Sequence, residues 1–243
     1  MSTYLDAITA LGSGSLHPGG FSHTLDELRK HTISPEHVVL DIGCGTGRTA
    51  CQIAKTYGAH VFALDKSEKM LEKARSRAGK EGVEVNFVLG DALDMPFREK
   101  VADFIFIESV LVFLPVQDVL KECFRVLKKN GTLIDVEILA ENSLPAAAKD
   151  QIKTLCGISQ IPTLEEWLEH FRKTGFKKGV VRHKKLPGML EGLKEMFYLD
   201  PYQDVSKELT SSLAMIKTLL KYKRLIGKHQ KRLGYATFVF QKD

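Results

Sequence analysis

The spacing of apolar and polar positions changes period along the chain in a regular way. From about residue 37, short apolar runs alternate with helical patterns: HVVLDI, the helix opened by GTGRTACQIAKTYG, HVFALD, SEKMLEKARSRAGK and VEVNFVLGD. The alternation continues through ADFIFIES, VQDVLKECFRVLKKNG and TLIDVEIL. Nearly continuous apolar strands separated by helices predict a parallel sheet covered on both faces, a doubly wound α/β fold. In VQDVLKECFRVLKKNG, the residues Val119, Leu120, Cys123, Phe124 and Leu127 recur at helical spacing. Gly131 stands where a stop is expected, so this helix is predicted to run up to it.

After Glu141 the regularity loosens. LPAAAKDQIKTLC and TLEEWLEHFRKTG predict helices, the second with a capping box made by Thr163 and, three residues on, Glu166. FKKGVVRHKKL and YATFVFQKD predict strands, and the stretch between them reads as mainly helical, far longer than a hairpin connection. The expected organisation is one domain over 1–243: an N-terminal helical cap (1–36), an α/β core (37–185), a helical insertion (186–232) and a last strand (233–243).

Composition adds constraints. The chain is 44% hydrophobic and 27% charged, enough for a substantial core. No apolar run approaches the roughly 18 residues of a membrane span, and the start lacks the basic flank and apolar stretch of a signal peptide, so a cytosolic protein is expected. Cys44, Cys51, Cys123 and Cys156 form no Cys-x-x-Cys pair and the histidines no His-x-x-x-His pair, so no metal is expected. Charge is uneven: residues 1–150 carry a net −4 and 151–243 a net +9. Much of that excess sits in KYKRLIGKHQKR, residues 221–232. A solvated helix face is the common meaning of such a run, and an anionic partner such as RNA or a membrane surface is the alternative.

The candidate chemistry begins at VLDIGCGTGRT, residues 39–49, where a buried strand runs into glycines and then a helix. Glycine there lets the backbone turn sharply and lets a ligand approach the main chain. The spacing is Gly43-x-Gly45-x-Gly47, whereas a dinucleotide fingerprint would need a glycine where Arg48 stands. Asp41 precedes the turn; it is an unfavourable neighbour for a pyrophosphate and a tolerable one for a ligand with cationic amine and sulfonium groups. Asp65 ends the next strand, placed to accept from ribose hydroxyls, which would equally suit a dinucleotide. Asp91, in VLGDALDMPF, is placed to accept from an adenine amino group, with Ala92 and Leu93 offering apolar contact. Any one of these acids alone reads as a helix cap. Three at successive strand ends beside one glycine turn point to an adenosyl ligand.

VLDIGCGTG, ALD, VLGDALDMPF and FRVLKKNGTL, in this order and spacing over residues 37–137, resemble the class I S-adenosylmethionine-dependent methyltransferases. The resemblance implies a seven-stranded, mostly parallel, Rossmann-like sheet in the order 3-2-1-4-5-7-6 with its last strand antiparallel. It implies S-adenosyl-L-methionine as cofactor, with Asp41, Gly43, Gly45 and Gly47 around its methionine part, Asp65 at the ribose, Asp91 and Ala92 at adenine, and Lys66 among the cofactor-binding residues. Within FIFIESVLVFLP it places Glu108 and Ser109 near the cofactor's methionine end, and Val110 and Phe113 near the acceptor.

Relatives that methylate DNA-base amines carry Asn or Asp-Pro-Pro-aromatic where this chain has Glu-Ser-Val-Leu. A small-molecule acceptor and no DNA partner are therefore expected. RNA methylation through the basic C-terminal region, or cofactor binding without catalysis, are the alternatives, and nothing in the sequence specifies an oligomeric state. LHPGGFSHT, residues 16–24, is similar to a segment that roofs the cofactor pocket in some microbial members. That likeness implies Gly19 and Gly20 beside the cofactor. It also makes His17, together with Glu108, a candidate for a catalytic role, although methyl transfer to a thiolate or neutral amine requires no base. Trp167, Phe197, Tyr198, Tyr202 and Tyr235 are candidates either for an acceptor pocket or for a core beneath cap helices.

Overall fold

The structure is a computed structural model and describes residues 3–14, 17–186 and 200–243. Seven strands form one sheet: β1 (Val38–Ile42), β2 (His60–Asp65), β3 (Asn86–Leu89), β4 (Ala102–Glu108), β5 (Leu127–Ala140), β6 (Lys178–Lys185) and β7 (Leu233–Gln241). Their order is β3-β2-β1-β4-β5-β7-β6, as the resemblance implied. The first five pair in parallel, while β7 runs antiparallel to both β5 and β6. The order reverses beside β1, where its neighbours are β2 on one side and β4 on the other. A crevice opens at such a switch point, beyond the carboxyl ends of the strands.

Successive side chains alternate between the faces. Leu40, Ile42, Ile105 and Ile107 enter one core with α5 (Val116–Val126), α6 (Ala146–Cys156) and α7 (Leu164–Thr174). Val39, Val61, Ala63 and Phe106 enter the other with α3 (Arg48–Tyr57) and the end of α2 (Gly20–Leu28). The capping box of α7 is present, with the Thr163 side chain accepting from the Glu166 N–H and the Glu166 carboxylate accepting from the Thr163 N–H. Trp167 on this helix is core: it is fully buried, donates to the Ile138 carbonyl at 3.1 Å and packs on Phe238.

One helix differs from its sequence pattern. α5 ends at Val126 and does not reach Gly131. Leu127 turns extended and pairs with Ala102 of β4, so it stays buried as a strand residue at a position that also fits the helical stripe. Asn130 takes the left-handed conformation of the turn. A side chain at Gly131 would meet the Leu127 side chain and the Ala102 carbonyl at about 3 Å, so glycine serves close packing there.

The cap comes from both ends of the chain. α1 (Tyr4–Leu11) precedes the core, and α8 (Lys207–Ser211) and α9 (Leu213–His229) lie between β6 and β7, within the stretch expected to be a helical insertion. Residues 187–199, including Phe197 and Tyr198, lie outside the described residues. α9 packs on α1 and α6. The insertion is tied to the core beside α4 (Glu68–Glu81): Arg77 on α4 makes a bidentate pair with Asp200, and Lys73 donates to the Asp204 carbonyl and to Ser206.

Candidate functional site

The crevice at the switch point is a cavity of about 420 Å³. Its floor is the turn after β1. Gly43 and Cys44 donate their N–H groups to the Leu64 carbonyl at 2.7 and 3.0 Å, which clamps the turn against β2. All three glycines have positive φ, but they serve different ends. A Cβ on Gly43 would collide with Val110, and one on Gly47 would press on Ala74 and Phe87 at 2.9 and 3.1 Å. Beside Gly45 the space is open. Gly43 and Gly45 line the cavity, whereas Gly47 lets α3 pack against its neighbours.

Asp65 accepts from the Gly45 N–H with one oxygen, at 2.9 Å, and from the Ser67 N–H with the other, at 2.8 Å. It therefore braces the glycine turn while facing the cavity, with lone pairs left for a ligand. Burial pushes its carboxyl up, and the two backbone donors work against that. Lys66, Asp91 and Ala92 line the same rim, and Asp91 accepts from the Leu93 N–H at 2.9 Å.

Glu108, at the end of β4, is bound on three sides. Thr24 donates to its Oε1 at 2.6 Å and Thr49 to its Oε2 at 2.7 Å, while His17 Nε2 lies 3.5 Å from Oε1. His17 Nε2 also faces Thr24 Oγ1 at 3.1 Å. The Thr24 proton goes to Glu108, and on the other side of the ring His17 Nδ1 lies 3.3 Å from the Pro18 carbonyl. His17 thus has protein neighbours at both ring nitrogens, with Glu108 beside Nε2.

Asp41 is the most exacting group in the site. It is 3% exposed, it lines the cavity, and its Oδ2 has no partner among the described residues. Burial raises its carboxyl well above the carboxylate range, and the negative charges of Glu108 and Asp65 raise it further. A buried acid with an unsatisfied oxygen, facing two more acids across a cavity, is an arrangement that a cationic ligand relieves.

The loop after β4 is set by a second buried acid. Glu137 on β5 accepts from the Val110 and Leu111 N–H groups at 2.8 and 2.6 Å. This holds Ser109 in a left-handed conformation and delivers Val110, Val112 and Phe113 to the cavity wall. Glu137 is fully buried next to Asp135, and burial pushes both carboxyls up.

Known proteins resemble this chain in sequence and in fold. Residues 39–131 match the family model described as "Methyltransferase domain". The chain is 29% identical over 242 residues to the uncharacterized methyltransferase YodH of Bacillus subtilis, covering all of both chains. The chain carries a methyltransferase domain and resembles a methyltransferase along its whole length. This methyltransferase is also 35% identical over 136 residues to the methyltransferase GfsG of Streptomyces halstedii, a match covering 55% of the chain and 49% of GfsG. Its fold matches a Haemonchus contortus phosphoethanolamine N-methyltransferase 2 solved with S-adenosyl-L-methionine. The TM-score is 0.75 at 21% identity, over 99% of this chain and 57% of that one.

The methyltransferase cavity thus gathers Asp41, Gly43, Gly45, Asp65, Lys66, Asp91, Ala92 and Glu108, with His17 and Pro18 above them. Gly19 and Gly20 lie outside its lining, and a Cβ on Gly19 would meet His23 and the Tyr235 hydroxyl at about 3 Å. Trp167, Tyr202 and Tyr235 are not among the lining residues either. The aromatic residues in the wall are Tyr4, Phe113 and Tyr222. Tyr4 and Tyr222 pack on each other with ring centroids 4.7 Å apart. They lie at opposite ends of the chain, and the only sequence signal for them is that each sits on an amphipathic cap helix.

Proposed function

We propose that this methyltransferase transfers its methyl group to a small, largely apolar acceptor held between the strand ends and the cap helices. The observation that carries this reading is the division of the cavity wall. Apart from Asp6, which is engaged in the cap of α1, the charged lining residues sit on or just after β1 to β4. The side facing the cap includes Ile8 on α1, Phe113, Ile152 on α6, and Tyr222 and Ile226 on α9. A volume of about 420 Å³ lies within the ~300–1,000 Å³ typical of small-molecule sites.

The charged half fits the cofactor. Asp41 and Glu108 suit the cationic amine and sulfonium, the open space at Gly45 suits the close approach of the methionine part, Asp65 suits the ribose hydroxyls and Asp91 with Ala92 suits adenine. When bound, S-adenosyl-L-methionine supplies an electrophilic methyl group on a positively charged sulfur. The chain's own work is alignment and exclusion of water. Thr24, Thr49 and His17 hold Glu108 in place. Glu137 fixes the Ser109–Phe113 loop, whose apolar side chains press the acceptor toward the donor.

The test is release of S-adenosylhomocysteine on an acceptor panel spanning apolar ring and isoprenoid alcohols, phenols, amino acids and short RNAs. Turnover with apolar members, lost or strongly reduced in Ile226→Asp, supports the reading. Turnover confined to amino acids or RNA refutes it.

A further inference from the structure

α9 has two apolar sides, and only one of them is used. Its inner side carries Leu219, Tyr222, Leu225 and Ile226, which pack on the core and in part line the cavity. Its outer side carries Leu213, Ile216 and Leu220, which are 72%, 37% and 60% exposed. At 100° per residue these three fall within about a 60° arc, a stripe along the solvent side of the helix. Lys217, Lys221, Arg224 and Lys228 border the stripe on one flank and Lys223 on the other. All five cations are exposed, and none has an acidic partner among the described residues. The helix itself, LAMIKTLLKYKRLIGKH, contains no Asp or Glu.

An exposed apolar stripe flanked by unpaired cations matches a surface that is apolar below and anionic above. We propose that the outer side of α9 docks this methyltransferase on anionic phospholipid membranes, with Leu213, Ile216 and Leu220 entering the headgroup–acyl boundary and the five cations contacting headgroup phosphates. Amphipathic helices lie in the interface in this way, and each nearby cation strengthens attraction to anionic lipid. RNA would satisfy the cations but gives the exposed leucines no apolar partner, so the stripe favours the bilayer surface. Among the described residues no helix is long and apolar enough to cross a membrane, so the contact is peripheral. Because the opposite side of the same helix lines the apolar part of the cavity, docking also sets that cavity next to a source of apolar molecules.

The inference is tested by co-sedimentation of the purified full chain with vesicles of phosphatidylglycerol and phosphatidylcholine, and with phosphatidylcholine alone, at two salt concentrations. The expected result is binding to the anionic vesicles that weakens with salt, with little binding to the neutral ones. Lys217→Glu/Lys221→Glu/Arg224→Glu should lower partitioning on the order of ten-fold or more, and Leu213→Ser/Leu220→Ser should lower it comparably. Both sets of substitutions are on the solvent side, and unchanged S-adenosylhomocysteine affinity verifies that each variant is folded. Absence of binding to anionic vesicles overturns the inference. So does unchanged binding by the Leu→Ser variant, or tight RNA binding that depends on the lysines while vesicles are ignored. None of these outcomes bears on the acceptor assay, so the two readings stand or fall separately.

Discussion

At the scale of single residues, the site is organised by acids that the fold places out of water. Asp65 illustrates the double use of one carboxylate, since it ties the glycine turn to β2 and leaves lone pairs toward the cavity. Asp65→Ala should weaken S-adenosylhomocysteine binding by ~10-fold or more in calorimetry, because ligand hydroxyls and the Gly45 N–H lose their acceptor together. Unchanged affinity would remove its assigned role.

Glu137 offers a pH test with a definite sign. Burial raises its carboxyl, so the folded chain keeps the proton while the unfolded chain loses it. Stability from this group is therefore complete below the ordinary carboxylate range and declines as pH rises toward the raised value. Glu137→Gln keeps an oxygen to accept from Val110 and Leu111 but carries no charge. Its melting temperature should match the wild type at about pH 5 and exceed it at about pH 9. A variant equally destabilised at both values would contradict this account. Asp41, Asp65 and Asp91 were legible in the sequence because each follows or ends a strand. The importance of Glu137 was not, because it sits within an apolar run and acts through backbone N–H groups that only the loop after β4 brings to it.

At the scale of elements, the cap and the cofactor turn are mechanically joined by one side chain. Arg77 is 2% exposed, donates from Nε to the Thr46 carbonyl at 2.9 Å and pairs with Asp200 of the insertion. Removing one member of a buried pair typically costs about 3–5 kcal/mol. Asp200→Ala should thus show a clear loss in denaturant melts, and Arg77→Met should add weaker cofactor binding because the Thr46 carbonyl is released. Loss of stability with cofactor affinity fully retained in Arg77→Met would separate the two functions.

The elements of the core could be read from periodicity alone, and so could the Thr163–Glu166 cap, because both signals are local. The end of α5 could not, since Leu127 suits the helical stripe and the strand equally and the choice is made by its pairing with Ala102. Trp167 and Tyr235 stood as candidates for an acceptor wall on aromatic character, but the sheet claims them. Tyr4 and Tyr222 take that place because α1 and α9, far apart in sequence, pack side by side.

At the scale of the whole molecule, the net −4 and +9 halves have separate uses. The acidic strand ends line the cavity in which the proposed reading places a cationic cofactor, and much of the basic excess lies on the cap, on the outer side of α9. In the proposed reading the methyl donor sits at the switch point of the sheet, beside an apolar chamber under the cap helices. The claim on which all of this depends is that the glycine turn holds an adenosyl-sulfur ligand. Titration calorimetry with S-adenosylhomocysteine and NAD measures it directly. Saturable binding of S-adenosylhomocysteine with no heat from NAD is the expected result, and saturable NAD binding with none of S-adenosylhomocysteine would contradict it.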